Sequence, residues 1–336
     1  MTAPAPTPTS ARPTPQPACR ALPGGYPTLH RLRRHGALRA MVGPDLPGLS
    51  WCGPDGRWRG LDAEIARAVA AAVLGDPDAV DWLPTEPPDR LPLLVSGEAD
   101  LTICHLTWTM GREAEYPVLF AGVTCYDGEG FLVRADSGIE DPAQLAGRPV
   151  AVLAGTTSAA NLADWYGGRG LTVRPVPYSA SRLALASYLA GDCDAYVLDR
   201  TVLAGQRAGL PEPGAHRLLD TVISREPMAL AVRDTDIAWF RLCRWVLQLL
   251  VAAEHQTDRA GPDRRQEALA AAARAAGRHG PAVGLDDGWA ARVLAAVGSY
   301  GEVYERSLGR SSGLGVPRGP NELWTRGGLH YAVPLY

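Results

Sequence analysis

Two loops of this sequence combine the residue types that hold a carboxylate. Thr107 and Arg112 stand five residues apart, so a hydroxyl and a guanidinium can face one ligand, and the guanidinium can grip a carboxylate through two parallel hydrogen bonds. Residues 155–158, Gly-Thr-Thr-Ser, form a strand-to-helix turn whose backbone N–H groups and hydroxyls suit an anion at a helix N-terminus. Each loop, taken alone, also fits an ordinary capped helix with a solvated polar side chain.

Asp199 supplies an acidic group at the end of the stretch Ala-Tyr-Val-Leu-Asp, where a parallel strand would deliver it to a cleft. It could pair with a ligand ammonium, or it could cap the helix that follows. With the two loops, it gives two carboxylate-binding elements and one ammonium-binding element. This is the minimum that recognition of an α-amino acid requires, and the combination is more specific than its parts.

The composition argues against several classes of function. The formal net charge of −3 leaves no excess of basic residues to neutralise nucleic-acid phosphates. The chain contains no lysine, which removes a Schiff base to pyridoxal phosphate, the lysine of a nucleotide-binding P-loop and a lysine general base. The six cysteines form no CxxC pair and no Cys/His cluster with zinc spacing, although a disulfide among them remains open. We therefore expect no cofactor, no metal and no nucleic-acid partner.

The first residues differ in composition from the rest. Six prolines fall within the first 17 positions, which predicts a disordered leader over residues 1–26. The first 40 residues contain no apolar run of the roughly 7 to 15 residues that a secretory signal needs. The most apolar later stretch, residues 237–253, carries Arg241, Arg244 and Gln248, so it predicts an amphipathic surface helix and no transmembrane segment.

Apolar periodicity beyond the leader predicts an α/β fold with mostly parallel sheets, and a chain of 336 residues is expected to form two domains. In the first unit we predict strands at 38–43, 80–83 and 99–104 and helices at 61–74 and 89–96. In the second we predict strands at 150–153, 171–176 and 195–198 and helices at 155–166, 181–190 and 201–208.

The C-terminal third is predicted to return to the first unit. It contains a predicted strand at 228–232 and predicted helices at 236–255, 289–297 and 301–308, whereas residues 258–279 fit either a helix or a surface insertion. Both polar loops follow predicted strands, and ligands of open parallel sheets bind at the carboxyl ends of strands. We therefore expect a ligand site between the two units.

Several longer stretches resemble the polar amino-acid family of periplasmic solute-binding proteins, and within it the general L-amino-acid-binding proteins. The resemblance begins near Leu29 and extends over nearly the whole chain. It is carried by residues 56–76, 107–113, 120–134, 154–166 and 223–227, and by the C-terminal stretches that begin at Gly298 and Asn321.

The resemblance implies the two-lobed periplasmic-binding-protein fold of type II. Lobe 1 would comprise residues 27–130 and 226–336 and lobe 2 residues 131–225, with crossovers near 128–133 and 224–231. Such a protein closes on a free L-amino acid, acts as a monomer, and delivers its ligand to an ABC permease outside the cytoplasm. Carried over by position, Arg112 and Thr157 would bind the α-carboxylate, Thr107 the carboxylate or the amino group, and Asp199 the amino group. Thr156 and Gly155 would support the turn.

Three positions depart from the family pattern: His105, Leu106 and Leu153 stand where relatives usually carry a small or amide residue, a polar residue, and Lys or Gln. They predict a less polar pocket. An alternative hypothesis is a cytoplasmic enzyme that resembles the cyclohexadienyl dehydratases, in which His105, Glu129 or Glu226 gives a proton to a leaving group. The missing secretory signal favours the enzyme, whereas the intact amino-acid-binding residues favour a binding protein. A stand-alone cytoplasmic sensor is a third class.

Overall fold

The computed structural model describes residues 25–336, so residues 1–24, most of the predicted leader, lie outside the described residues. Two five-stranded sheets organise the chain. The strands are β1 (Leu38–Val42), β2 (Trp51–Cys52), β3 (Trp58–Arg59), β4 (Val80–Pro84), β5 (Leu101–Thr102), β6 (Val118–Asp127), β7 (Glu129–Arg134), β8 (Pro149–Leu153), β9 (Arg174–Tyr178), β10 (Ala195–Asp199), β11 (His216–Leu218) and β12 (Glu226–Arg233).

Eleven α-helices of the described chain flank these sheets. They are α1 (Pro27–His35), α2 (Leu61–Leu74), α3 (Arg90–Ser96), α4 (Met110–Glu115), α5 (Ser158–Gly167), α6 (Ser181–Ala190), α7 (Arg200–Ala208), α8 (Ile237–Ala260), α9 (Arg265–Gly277), α10 (Trp289–Val297) and α11 (Tyr300–Ser307).

The first sheet, with the strand order β4-β1-β5-β12-β6, forms lobe 1. Strand β1 runs parallel to β4 and β5, and β12 runs antiparallel to β5 and β6. The second sheet, with the order β11-β7-β10-β8-β9, forms lobe 2, in which β8 is parallel to β9 and β10. The chain passes from lobe 1 to lobe 2 between β6 and β7, and returns between β11 and β12. The fold is therefore the predicted two-lobed α/β architecture with mixed sheets, but the sheets are less parallel than predicted, since four of their strand pairs are parallel and four are antiparallel.

The C-terminal part packs on lobe 1. Helix α2 is alanine-rich and buried along nearly its whole length, and it begins after Gly60 and ends at Gly75. Helices α8 and α10 pack against it. Further along, Arg318 donates to Glu254 at 2.6 Å, and Asn321 exchanges two hydrogen bonds with the backbone of Tyr126, of 2.7 and 2.8 Å. The end of the chain is thus hydrogen-bonded to the last residues of β6, just before the first crossover.

The predicted elements agree with the structure where apolar periodicity is strong. Helices α2, α6 and α10 have the predicted bounds. The predicted strand 99–104 is shorter, Leu101–Thr102, and the predicted strand 171–176 is displaced to Arg174–Tyr178. The predicted helix 155–166 begins only at Ser158, because Gly155 has a φ of 76° and belongs to the turn. Residues 258–279, which the sequence left open, form the end of α8 and helix α9.

Two further expectations concern the described residues. The five cysteines between residues 25 and 336 are free thiols, four of them buried, as expected of small apolar side chains. None of the helices in this range combines the length and the apolar character that a membrane crossing requires.

The two lobes approach each other closely at Gly205. This residue lies in α7 of lobe 2, and a Cβ atom built on it would lie 2.3 Å from the backbone oxygen of Pro47 in lobe 1. Gly155 makes a looser approach, since its Cβ would lie 3.1 Å from Pro88. Gly205 has an ordinary helical φ, so a larger residue there fits the helix and obstructs only the other lobe.

We predict that Gly205→Leu keeps the two lobes apart without unfolding the protein. Leucine has a higher helix propensity than glycine by about 0.5–1 kcal/mol, so α7 should lose no stability. Small-angle X-ray scattering should show a larger radius of gyration than the wild type, with an unchanged or higher melting temperature. Gly167→Leu in α5, where nothing lies within 4 Å, is the matched control. A scattering curve equal to that of the wild type would contradict the proposed contact.

Candidate ligand site between the lobes

A cavity of about 40 Å³ lies between the lobes, where the strand-end loops of the two sheets meet. This is room for a few water molecules, so an amino acid can enter only when the lobes separate. Most of the predicted site residues line it: Leu153, His105, Thr107, Arg112, Thr156, Thr157 and Asp199. Gly155 does not line it, although its left-handed backbone forms the turn.

A larger cavity of about 820 Å³ lies on the other side of the crossover, between α7 and the C-terminal segment 313–321. None of the predicted ligand-binding residues lines it. The smaller cavity is therefore the candidate site, because the predicted residues converge there.

Lobe 1 contributes two guanidinium groups. Arg112 lies in α4, whose first turn is capped by Thr109, and its Nη1 donates to the backbone oxygen of Thr107 at 2.5 Å. Arg90, at the start of α3, lines the same cavity and donates to the oxygen of Thr85 at 3.4 Å. Burial and the charge of Arg90 lower the pKa of Arg112. These two guanidiniums suit an anionic group of a ligand, and the same lobe also contributes the carboxyl of Glu86.

Lobe 2 contributes carboxyl groups. Asp199 ends β10, and within the described chain its side chain caps no helix, so the capping alternative is not realised. Burial raises the pKa of Asp199 well above its ordinary value, and the negative charges of Asp127 and Glu129 add to the rise while His105 opposes it. A ligand ammonium beside Asp199 would supply the positive charge that favours the ionised carboxylate.

Glu226, at the start of β12, connects the two lobes. Its Oε2 accepts a hydrogen bond from Thr107 of lobe 1 at 2.5 Å and another from Thr157 of lobe 2 at 3.2 Å. Its Oε1 accepts from Asn161 at 2.7 Å. Because a hydroxyl has a single proton, Thr107 and Thr157 can offer only acceptor lone pairs to a ligand while these bonds persist. The structure thus gives both threonines a partner that the sequence did not indicate.

His105, in the loop after β5, lines the cavity and also contacts Asp127 at the first crossover. Its Nε2 lies 3.2 Å from Asp127 Oδ2 and 3.1 Å from Thr201 Oγ1. Burial alone would lower its pKa, but the Asp127 hydrogen bond and the charge of Asp199 raise the pKa of His105 above the ordinary value. Its φ of 51° is rare for a residue with a side chain, which indicates that the contacts hold it in place.

Ligand atoms of His105, Asp127 and Asp199 lie within 4.8 Å of one another, and this is the one such group that residues 25–336 form. A divalent cation could bind them. Hydrogen bonds already join His105, Asp127 and Thr201, and the Asp199 carboxyl takes no part in them.

The turn after β8 is held by its own side chains. Thr156 Oγ1 donates to the oxygen of Leu153 at 2.6 Å and accepts from the Ser158 backbone at 3.3 Å. Leu153 is buried and presents an apolar surface to the cavity, where relatives were expected to carry Lys or Gln.

Sequence reasoning missed three polar residues of the cavity: Glu86, Arg90 and Ser181. Glu86 and Arg90 follow the end of β4, and Ser181 follows the end of β9. Both strands are parallel to the central ones, so the rule that placed the other loops would have found these residues had every strand end been considered.

Glu129, named only for the enzyme hypothesis, is a wall residue of the cavity. It is the first residue of β7 and belongs to the sheet of lobe 2, two residues before the predicted lobe boundary. It is 1% exposed, and its Oε2 finds no hydrogen-bond partner among residues 25–336. Burial raises the pKa of Glu129 to about 7; the charges of Glu226 and Asp127 add to the rise, and hydrogen bonds from Ser158 and Asn161 oppose it. An ionised carboxylate in this position is therefore costly in the folded protein.

Two hinged lobes that enclose guanidinium and carboxyl groups define a solute-binding protein that closes around its ligand. The sequence profile of the bacterial extracellular solute-binding proteins, family 3, matches residues 38–322. The chain belongs to this family.

Individual relatives are consistent with this family assignment. The chain is 35% identical over 318 residues to the general L-amino acid-binding periplasmic protein AapJ of Rhizobium johnstonii, covering 92% of each. It is 36% identical to the glutamate/glutamine/aspartate/asparagine-binding protein BztA of Rhodobacter capsulatus, covering 92% of this chain and 93% of the relative. A periplasmic binding protein of Brucella ovis, solved with glutathione bound, superposes with a TM-score of 0.84 at 35% identity, over 92% of this chain and 99% of that one.

We predict that Glu129→Gln stabilises the free protein above neutral pH. The raised pKa means that the stability associated with this group is full below about pH 4.5 and is lost as the pH rises through about 7. The loss at pH 8 is on the order of 3 kcal/mol, and glutamine avoids it. Melting temperatures at pH 5 and pH 8 should show the variant gaining on the wild type only at pH 8. Equal differences at both pH values would refute this account of Glu129.

Proposed function

We propose that this protein binds a free L-amino acid between its lobes and is the substrate-binding component of an amino-acid ABC transporter. The observation that carries the proposal is that side chains of both charges meet in one cavity. Guanidinium groups of Arg112 and Arg90 lie on the lobe 1 wall, and the carboxyl of Asp199 lies on the lobe 2 wall. An α-amino acid carries the complementary pair of charges on one carbon atom.

In the proposed complex the α-carboxylate faces Arg112. Thr157, the residue before α5, lines the same cavity at the positive end of the helix dipole. The α-ammonium faces Asp199. Thr107 and Thr157, whose protons are given to Glu226, accept from the ammonium, which favours the amino-group role for Thr107 over the carboxylate role.

The relatives support this function. Two of them are named for binding amino acids, and the family is that of extracellular solute-binding proteins. On this basis the protein acts outside the cytoplasm as a monomer and delivers its ligand to a membrane permease. The lobes would close on the ligand about the two crossovers, and the closed form would be the one that the permease engages.

The comparisons favour binding over the dehydratase-like enzyme. Of the three acids named for that hypothesis, Glu226 accepts hydrogen bonds from three side chains and His105 is held by Asp127 and Thr201. Neither of these two groups is free to give a proton to a bound molecule, whereas Glu129, the third acid, lines the cavity and has a pKa raised to about 7. Chromatography of a ligand incubated with the protein tests this directly: recovery unchanged supports binding, and a new product whose formation is lost in His105→Asn supports the enzyme.

We predict that Arg112→Ala and Asp199→Asn each weaken amino-acid binding by about 100-fold or more, because each removes one partner of a desolvated charge pair. Isothermal titration calorimetry against the twenty amino acids measures the effect. The melting temperatures should stay close to that of the wild type, which separates loss of binding from loss of fold. Arg278→Ala, at an exposed position of lobe 1, is the control. Binding of wild-type strength by either variant would refute the site.

A further inference from the structure

The cavity contains more negative than positive side chains. Three carboxyls line it, those of Glu86, Glu129 and Asp199, and two guanidiniums, those of Arg90 and Arg112. Glu226 adds a fourth carboxyl through its hydrogen bond to the lining residue Thr107. His105 is already paired with Asp127. A zwitterionic ligand contributes one charge of each sign and leaves this excess uncompensated.

Two of the carboxyls stand side by side. Glu129 of β7 is the direct antiparallel partner of Asp199 of β10. Directly opposed residues of an antiparallel pair project from the same face of the sheet, with Cβ atoms about 5 Å apart. One α-ammonium needs only one ionised carboxylate as its counter-ion, so the second carboxyl is available to another part of the ligand.

One carboxyl oxygen of Glu129, Oε2, lacks a hydrogen-bond partner in the described part of the chain, although the Ser158 and Asn161 side chains lie beside the carboxyl. Glu129 is 1% exposed, it lines the cavity, and this oxygen is buried. Buried carboxylate oxygens are normally hydrogen-bonded, and leaving one unpaired costs free energy. A donor supplied by the ligand would satisfy it, and a cationic donor would also reduce the charge excess.

Two threonine hydroxyls of the cavity wall likewise present hydrogen-bond acceptors to a ligand. Thr107 and Thr157 give their protons to Glu226 and so present acceptors to the ligand. Acceptors attract N–H groups and repel a second carboxylate. The walls therefore disfavour an acidic side chain, although a relative is named for binding glutamate and aspartate.

We propose that Glu129 is a specificity-determining residue that pairs with a positively charged group on the ligand side chain, so that the preferred ligands are L-amino acids with a guanidinium or ammonium side chain. This inference rests on the proposed amino-acid binding and names the ligand class of that site. Asp199 holds the α-ammonium, and Glu129 beside it holds the second cation.

Matched ligand pairs test the proposal, because they change charge and keep shape. Calorimetry at pH 7.5 would compare arginine with citrulline, lysine with norleucine and ornithine with norvaline, and would include glutamate. In at least one pair the cationic member should bind about tenfold tighter or more than its neutral partner. In Glu129→Gln that ratio should fall close to one, whereas in the exposed control Glu212→Gln it should stay as in the wild type.

Each result has one meaning. If every neutral member binds as tightly as its cationic partner, or if glutamate binds more tightly than all three cations, the inference is wrong and the proposed function stands. A loss in Glu129→Gln that is equal for charged and neutral ligands also refutes the role in specificity. If no amino acid binds the wild type, the proposed function itself fails.

Discussion

The Glu226 carboxylate is the interaction on which the closed arrangement depends. It sits where β12 re-enters lobe 1, paired in register with Asp127 at the end of β6, so both chain crossings flank it. From there it accepts from Thr107 of one lobe and from Thr157 and Asn161 of the other. A charged acceptor shared by three donors gives stronger bonds than neutral pairs would, and it orders the side chains that face the ligand. The two lobes are thereby joined by a group at the hinge, with the cavity walls held in fixed orientation.

The same arrangement carries an electrostatic cost. Burial raises the pKa values of Asp199 and Glu129, and His105 is the nearby cation that partly offsets the concentration of negative charge. The protein keeps these groups in a closed cleft with the guanidiniums of Arg90 and Arg112 on the opposite wall. The free protein bears the free-energy cost of these buried charges. A complementary ligand reduces that cost, and in this way binding energy can favour closure. Stability and ligand recognition thus depend on the same carboxyls.

The sequence predicted the fold well, and the site only in part. Helix α2 could be read from its apolar spacing and its flanking glycines, Gly60 and Gly75, and its bounds agree with the structure. Arg112 and Asp199 could be placed because each follows a strand. The partners of Glu226 could not be predicted. It is separated by 119 residues from Thr107 and by 69 from Thr157, and no local sequence pattern indicates contacts over such sequence separations. The missing hydrogen-bond partner of Glu129 is likewise a property of packing.

The two hydrogen bonds between Asn321 and the Tyr126 backbone affect the motion of the lobes. Only Gly128 separates β6 from β7, and Ser224, on the returning chain, accepts from the backbone of Glu129 at 3.0 Å. Hydrogen bonds hold the end of β6 to Asn321 and the start of β7 to the returning chain. A change of interlobe angle is therefore confined to a few backbone dihedrals. Closure about such a pivot orders very little chain, so its conformational-entropy cost is small. The C-terminal segment, which lines no part of the ligand cavity, thereby favours tight binding by keeping the hinge short.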